Sequence, residues 1–158
     1  MNNLPNGLLI RKAIEEDLPF ILSFIKELAD YEKLLDKVKV TEELLRESLF
    51  GAKGFVEVLI AEYEGKPAGQ ALFFHNYSTF IGRPGIYLED LYVRPELRGK
   101  GIGKALLQSL INLAKERNCW RIEWAVLDWN KPSINFYKSI GANPMDEWII
   151  FRLTEDKF

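Results

Sequence analysis

A chain of 158 residues, 47% hydrophobic and 13% aromatic, has the length of one ordinary domain and enough apolar side chain to bury a core. Its formal net charge of -2 offers no basic excess for nucleic acid, and its one cysteine, Cys119, excludes an internal disulfide and forms no usual zinc-ligand spacing with the lone histidine, His75. The opening "MNNLPNGLLIRKA" lacks the basic head and long apolar stretch of a leader, and no apolar run approaches the roughly 20 residues that span a bilayer, so a cytoplasmic protein without membrane partner or metal is expected.

In chain order, "GLLIRKA" (Gly7 to Ala13) predicts a first strand. A helix follows from about Glu15 to Leu34, where Leu18, Ile21, Leu22, Ile25, Leu28 and Ala29 recur at steps of three and four. Pro19 is tolerable there only in the first turn. A short second helix has Thr41 as N-cap, Glu42 and Glu43 in its first turn, and Gly51 past its end. Two β-rich runs flank "EGKP", which reads as a hairpin, and a third strand, "GIYLEDLYV", comes after the turn signal "GRPG". A helix over roughly Gly101 to Arg117, a strand "RIEWAVLDWN", a short helix "KPSINFYKSIG" and a final strand "EWIIFRL" complete the chain. No repeat, linker or low-complexity stretch divides it, so 1–158 reads as a single domain. Strands able to pair antiparallel, followed by a strand–helix–strand unit, indicate an α+β sheet protein and not a doubly wound one.

The stretch "LYVRPELRGKGIGKALLQSL" stands out. Glycine at a helix start costs about 1 kcal/mol against alanine, and three lie close together at Gly99, Gly101 and Gly103. The first N–H groups of the helix have no internal partner and carry the positive end of its dipole. Bare backbone there admits a pyrophosphate, with Arg98, Lys100 and Lys104 around it. The competing reading is a plain glycine turn with solubilising lysines. A Walker A loop does not fit, because the required first glycine falls on Arg98 and Ala105 stands where the magnesium-binding hydroxyl should be. A dinucleotide fingerprint fails because its third glycine falls on Lys104.

What fits is R-x-x-G-x-G (Arg98, Gly101, Gly103) after "IYLEDLYV" and ahead of "AVLDWNKPSINFYKSIGA". With these motifs and "IKELADYE", almost the whole chain resembles the GNAT superfamily of N-acetyltransferases, in its diamine and thialysine acetyltransferase branch. The resemblance implies a central mixed, mostly antiparallel sheet with helices on both faces, splayed where the cosubstrate acetyl-CoA enters. It implies direct acetyl transfer to the primary amine of a small cationic acceptor: a polyamine, a diamine or a thialysine- or lysine-like molecule. Acetylation of a peptide lysine or N-terminus, and a non-catalytic acetyl-CoA-binding module, are the alternatives. A homodimer is implied by the branch.

The resemblance also distributes roles. Acetyl-CoA would lie along Leu91, Tyr92 and Val93, then Arg98, Gly99, Lys100, Gly101, Ile102, Gly103 and Lys104, with Asn130, Lys131, Pro132 and Ser133 against it. Strand N–H groups can serve as donors to the thioester oxygen. Tyr137 is the candidate acid to the departing sulfur, since a phenol with its ordinary pKa of about 10 is protonated at pH 7. The alternative for Tyr137 is core packing, and for Asn130 or Ser133 helix capping. Glu89 is assigned to the acceptor side, relaying the amine proton through water, while its neighbour Asp90 is read as a solvated-face acid. Tyr31, Glu32, Glu123, Trp124 and Ala125 match acceptor-contacting positions, and Glu147, with Asp146 beside it, is the nearest match to a further carboxylate. Cys119 and His75 are read as structural, because nothing pairs them as nucleophile and base.

Overall fold

A computed structural model describes residues 4–158; residues 1–3, part of the opening stretch read as leaderless, lie outside the described residues. The chain divides into two units, Met1–Ala125 and Val126–Phe158.

The first unit is built on a five-stranded sheet in the order β1 (Leu8–Lys12), β2 (Glu57–Tyr63), β3 (Lys66–Ser78), β4 (Arg83–Val93), β5 (Ile122–Glu123). The first three pairings are antiparallel and the last is parallel. The expected hairpin closes through Glu64 and Gly65, both at positive φ (51° and 75°), the geometry whose twist matches paired strands. The parallel step from β4 to β5 is made by helix α3 (Ile102–Glu116), so the strand–helix–strand unit is present.

Helix α1 (Leu18–Tyr31) begins after a single turn at Glu15–Asp17, and Pro19 falls in its first turn, where its missing N–H costs nothing. Helix α2 (Glu42–Phe50) starts at Thr41, whose hydroxyl accepts the Leu44 N–H at 3.3 Å, as its N-cap chemistry predicts. Leu18 and Ile21 of α1 and Leu45 of α2 pack with Val58, Ile60 and Leu72 on one face of the sheet. Leu59, of opposite parity on β2, faces a cleft shared with Ser109, Asn112 and Leu113 of α3. Helices therefore cover both faces, with Ile102, Leu106, Leu107 and Leu110 buried beneath α3.

In the second unit, helix α4 (Lys131–Ser139) is capped by Asn130, whose Oδ1 accepts the Ser133 N–H at 3.4 Å. Gly141, at φ 90°, ends it. Two expectations change here. The strand read over "RIEWAVLDWN" is confined to Ile122–Glu123, the only residues there that pair with β4. The final strand "EWIIFRL" is absent, and Trp148, Ile149, Ile150 and Phe151 are 70–90% exposed. A strand exists by its ladder, and Val126–Phe158 contains no other strand to pair with. No helix among the described residues is long and apolar enough to cross a membrane.

Candidate active site

Strand β4 pairs with β3 along its length, but β5 joins it only at Ile86 and Tyr87. Among the described residues no strand takes the other edge of β4 from Leu88 to Val93, so the sheet opens there with backbone donors and acceptors on offer. At the end of this open edge the chain turns through Pro95–Leu97 into the glycine-rich start of α3. Gly99 and Gly101 sit at φ 79° and 80°, which L side chains rarely adopt, so both glycines are required by the turn itself. Gly103 is different: a Cβ there would meet only Val93 Cγ2, at 3.8 Å. Ala105 makes the first α3 bond back, to Gly101 O at 2.9 Å, which leaves the helix-start N–H groups of Ile102, Gly103 and Lys104 without an intrahelical partner. Open backbone, room at Gly103 and the nearby cations Arg98, Lys100 and Lys104 suit an extended ligand that ends in a diphosphate. The exposed Lys100 ammonium lies 5.1 Å from the Tyr63 ring centroid.

Tyr92 sits in the middle of the open edge, yet its side chain is committed to the core. Its ring lies 5.9 Å from Phe24, and its hydroxyl donates to Glu27 Oε2 at 2.9 Å. Burial and the Glu27 carboxylate push the Tyr92 phenol up to about 12. Only its backbone is available to a ligand, while Leu91 and Val93 beside it are half-buried.

Of the acceptor-side residues in the first unit, Tyr31, Glu32 and Glu89 lie toward the glycine-rich end of β4. The register against β3 steps from Leu72–Asp90 to Phe73–Leu88, so Glu89 is the extra residue of a β-bulge. The bulge breaks simple alternation. Glu89 is exposed, while Asp90, on the Tyr92 side of the strand, is half-buried. Desolvation, then the charges of Glu89 and Glu32, raise the Asp90 carboxyl to about 6. The solvated-face reading of Asp90 is therefore corrected: it is the desolvated member of a carboxylate trio. Burial also raises Glu32. Tyr31, 37% exposed at the end of α1, has the Arg98 guanidinium 5.0 Å from its ring centroid.

Glu123 sits opposite Tyr87, two residues before the bulge, and is held by Asn76 Nδ2 at 3.0 Å and Arg121 Nε at 3.1 Å. Trp124 is half-buried and Ala125 exposed. In the second unit, Asn130 is buried and Tyr137 half-buried, its ring 5.6 Å from Phe136. Lys131 donates from Nζ to Asp128 O at 2.9 Å, Ser133 is half-buried, and Pro132, Asp146 and Glu147 are exposed. The capping role weighed for Asn130 is thus realised. Burial pushes the Cys119 thiol up, which makes it a poorer nucleophile. His75 lies 3.3 Å from Arg117, which in turn grips Glu57 at 2.7 Å.

Sequence reasoning did not find the burial of Asp90, the Tyr92–Glu27 bond or the Arg98–Tyr31 stack. The bulge sets Asp90 across from Leu72, and a bulge leaves no compositional mark. Glu27 carried only a faint signal: of its neighbours at three- and four-residue steps, Phe24 and Tyr31 are aromatic, but Ser23 and Asp30 are polar.

The match to known proteins is extensive. Residues 22–142 fit the acetyltransferase (GNAT) family model. The chain is 44% identical over 157 residues to a thialysine N-epsilon-acetyltransferase of Sus scrofa, covering 92% of both. It is 32% identical to an L-ornithine N5-acetyltransferase of Arabidopsis thaliana, covering 93% of this chain and 84% of that one. An integron cassette protein of V. cholerae superposes with a TM-score of 0.80 at 28% identity, over 96% of this chain and 94% of that chain. With the open β4 edge and the glycine-rich helix start already in place, these findings settle the lineage: the chain belongs to the GNAT acetyltransferase family and is an N-acetyltransferase.

Proposed function

We propose that this enzyme transfers the acetyl group of acetyl-CoA directly to a primary amine of a small cationic acceptor, one of the polyamine, diamine or thialysine- and lysine-like class. The observation that carries the acceptor class is the carboxylate trio Glu32, Glu89 and Asp90 beside the open edge of β4, with Asp90 held near pKa 6. Such a trio attracts a cation and offers a proton acceptor that works near neutral pH. Relatives named for thialysine and ornithine, both amino acids with a side-chain amine, support the same class.

In this reading the acetyl-CoA diphosphate rests on the N–H groups of Gly101 to Lys104, and the thioester oxygen takes a backbone donor of Leu91 to Val93. The amine nitrogen, its proton relayed through water to Glu89 with Asp90 behind it, attacks the carbonyl carbon. The C–S bond breaks and the sulfur takes a proton from Tyr137. On the resemblance alone we assign that acid to Tyr137, cosubstrate contact to Asn130, Lys131, Pro132 and Ser133, and acceptor contact to Tyr31, Glu123, Trp124, Ala125 and Glu147. The same resemblance supports a cytoplasmic homodimer in which 1–158 acts as one domain; a monomer in sedimentation at micromolar concentration would remove the dimer.

Thiol release from acetyl-CoA against spermidine, spermine, putrescine, thialysine, lysine, ornithine and a lysine peptide tests the acceptor. Turnover of one or more small amines, lower by about 100-fold or more in Tyr137→Phe, is expected. Turnover of the peptide alone would replace the small-amine reading, and full activity in Tyr137→Phe would remove the assigned acid.

A further inference from the structure

Arg98 belongs to the glycine-rich loop, yet its side chain points away from a purely phosphate-binding role. Its Nε donates to Val93 O at 3.0 Å, which carries the guanidinium back along β4. The guanidinium carbon comes to 5.0 Å from the centroid of Tyr31 and 5.9 Å from that of Tyr92. Tyr31 is the last residue of α1, and Glu32 follows it directly. An aromatic face next to a carboxylate is the setting in which an organic ammonium binds best. In the free chain a cation of the protein's own occupies that face. A guanidinium prefers a diphosphate to a ring face, because the planar fork makes paired charge-assisted hydrogen bonds with phosphate oxygens.

We propose that Arg98 is a positioning residue that links the two halves of the site. With no anion at Gly99–Lys104 its guanidinium covers the Tyr31 ring. A diphosphate bound there draws it off, and the ring is left to the ammonium of the acceptor amine. The proposal rests on the acetyl-CoA reading given above. Because linkage is reciprocal, each ligand then strengthens the other's binding by the same factor. The loop arginine so serves both substrates: it holds one and clears the place of the other.

The test uses the full chain labelled with 3-fluorotyrosine, the Tyr31 signal being the one missing from Tyr31→Phe. CoA, with no acetyl group to transfer, should move that signal in the wild type. Free Arg98→Ala should already show the moved position, and Lys100→Ala, which removes a charge from the same loop, should not. Spermidine, followed by the same signal, should bind about tenfold more tightly in the presence of CoA, and less than about twofold more tightly in Arg98→Ala. A Tyr31 signal unchanged by Arg98→Ala overturns the proposal. So does a response to spermidine that is equal, or absent, with and without CoA. If calorimetry shows CoA bound while Tyr31 stays unmoved, the linkage falls and the acetyl-CoA reading stands. If CoA does not bind, the acetyl-CoA reading falls and takes the linkage with it.

Discussion

Two aspartates of the first unit, Asp17 and Asp90, are both withdrawn from water, and the protein treats them in opposite ways. Asp17, 3% exposed at the entry to α1, is gripped at 2.7 and 2.8 Å by both terminal nitrogens of Arg11 and accepts the Ile14 N–H at 2.8 Å. Arg11 also donates to Glu62 at 2.8 Å, which ties β1 to β2 and to the start of α1. The Arg11 bond outweighs burial and holds the Asp17 carboxyl below its ordinary range. Asp90 has burial without a cation: its charged neighbours are Glu89 and Glu32, and its carboxyl rises to about 6. The first arrangement stabilises a corner. The second costs stability wherever Asp90 is ionised, and an expense of that kind is a mark of a working site. A partner's sign, more than depth of burial, separates the structural acid from the functional one.

The most damaging way to break this contrast is to make Asp17 resemble Asp90. Arg11→Ala leaves a buried carboxylate without its cation, with only the Ile14 N–H still donating to it, and should destabilise the fold by about 3–5 kcal/mol in urea denaturation at pH 7. The pH dependence follows from the direction of the shift. A lowered folded pKa gives stability that is present above the unfolded value of about 4 and is lost as pH falls through the folded one. The gap between wild type and Arg11→Ala should therefore be widest above about pH 4 and shrink below it. A gap that does not change with pH would mean that lost packing, and not the ion pair, holds this corner.

Asp90→Asn should act in the reverse sense. A raised folded pKa means that the native state binds more protons than the unfolded chain between about pH 4 and 6, so stability falls with rising pH across that window. The cost is fully present above about pH 6. The variant should be more stable than wild type by about 1–2 kcal/mol at pH 8 and level with it near pH 4. Its turnover at pH 8 should drop by about tenfold, if the trio moves the amine's proton. A gain in stability with full activity would leave Asp90 a site-shaping acid and return the relay to Glu89 alone.

Much of this was legible in the chain, for definable reasons. Period-3.6 apolar positions and Thr41 located α1 and α2. Glu64-Gly65 between two β-rich runs located the hairpin, and Gly101 marked the start of α3. All of these depend on neighbours a few residues away. The open edge of β4 was reached only through resemblance, because splaying is a property of strands far apart in sequence. The solvated-face reading of Asp90 follows from assigning Glu89 to the acceptor and leaving its neighbour as a spare acid, although plain alternation already groups Asp90 with the buried Leu88 and Tyr92. The run Glu147–Leu153 has the composition of a strand, but a strand is completed by its partner.

The finest distinction lies within the trio. Glu89 raises Asp90 more than Glu32 does, with desolvation larger than either. Removing one like charge should lower the pKa of Asp90, so the acidic limb of the pH–rate profile should move to lower pH. The movement should be larger in Glu89→Gln than in Glu32→Gln, and the limb belongs to the coupled group as a whole. Glu32→Gln should also raise KM for a cationic amine by about three- to tenfold with little change in kcat, the signature of lost uniform binding. Glu89→Gln should lower kcat if it carries the relay. A limb that moves to higher pH in either variant would mean that the charge was stabilising the ionised form through a shared cation. In that case Asp90 would belong with Asp17 after all.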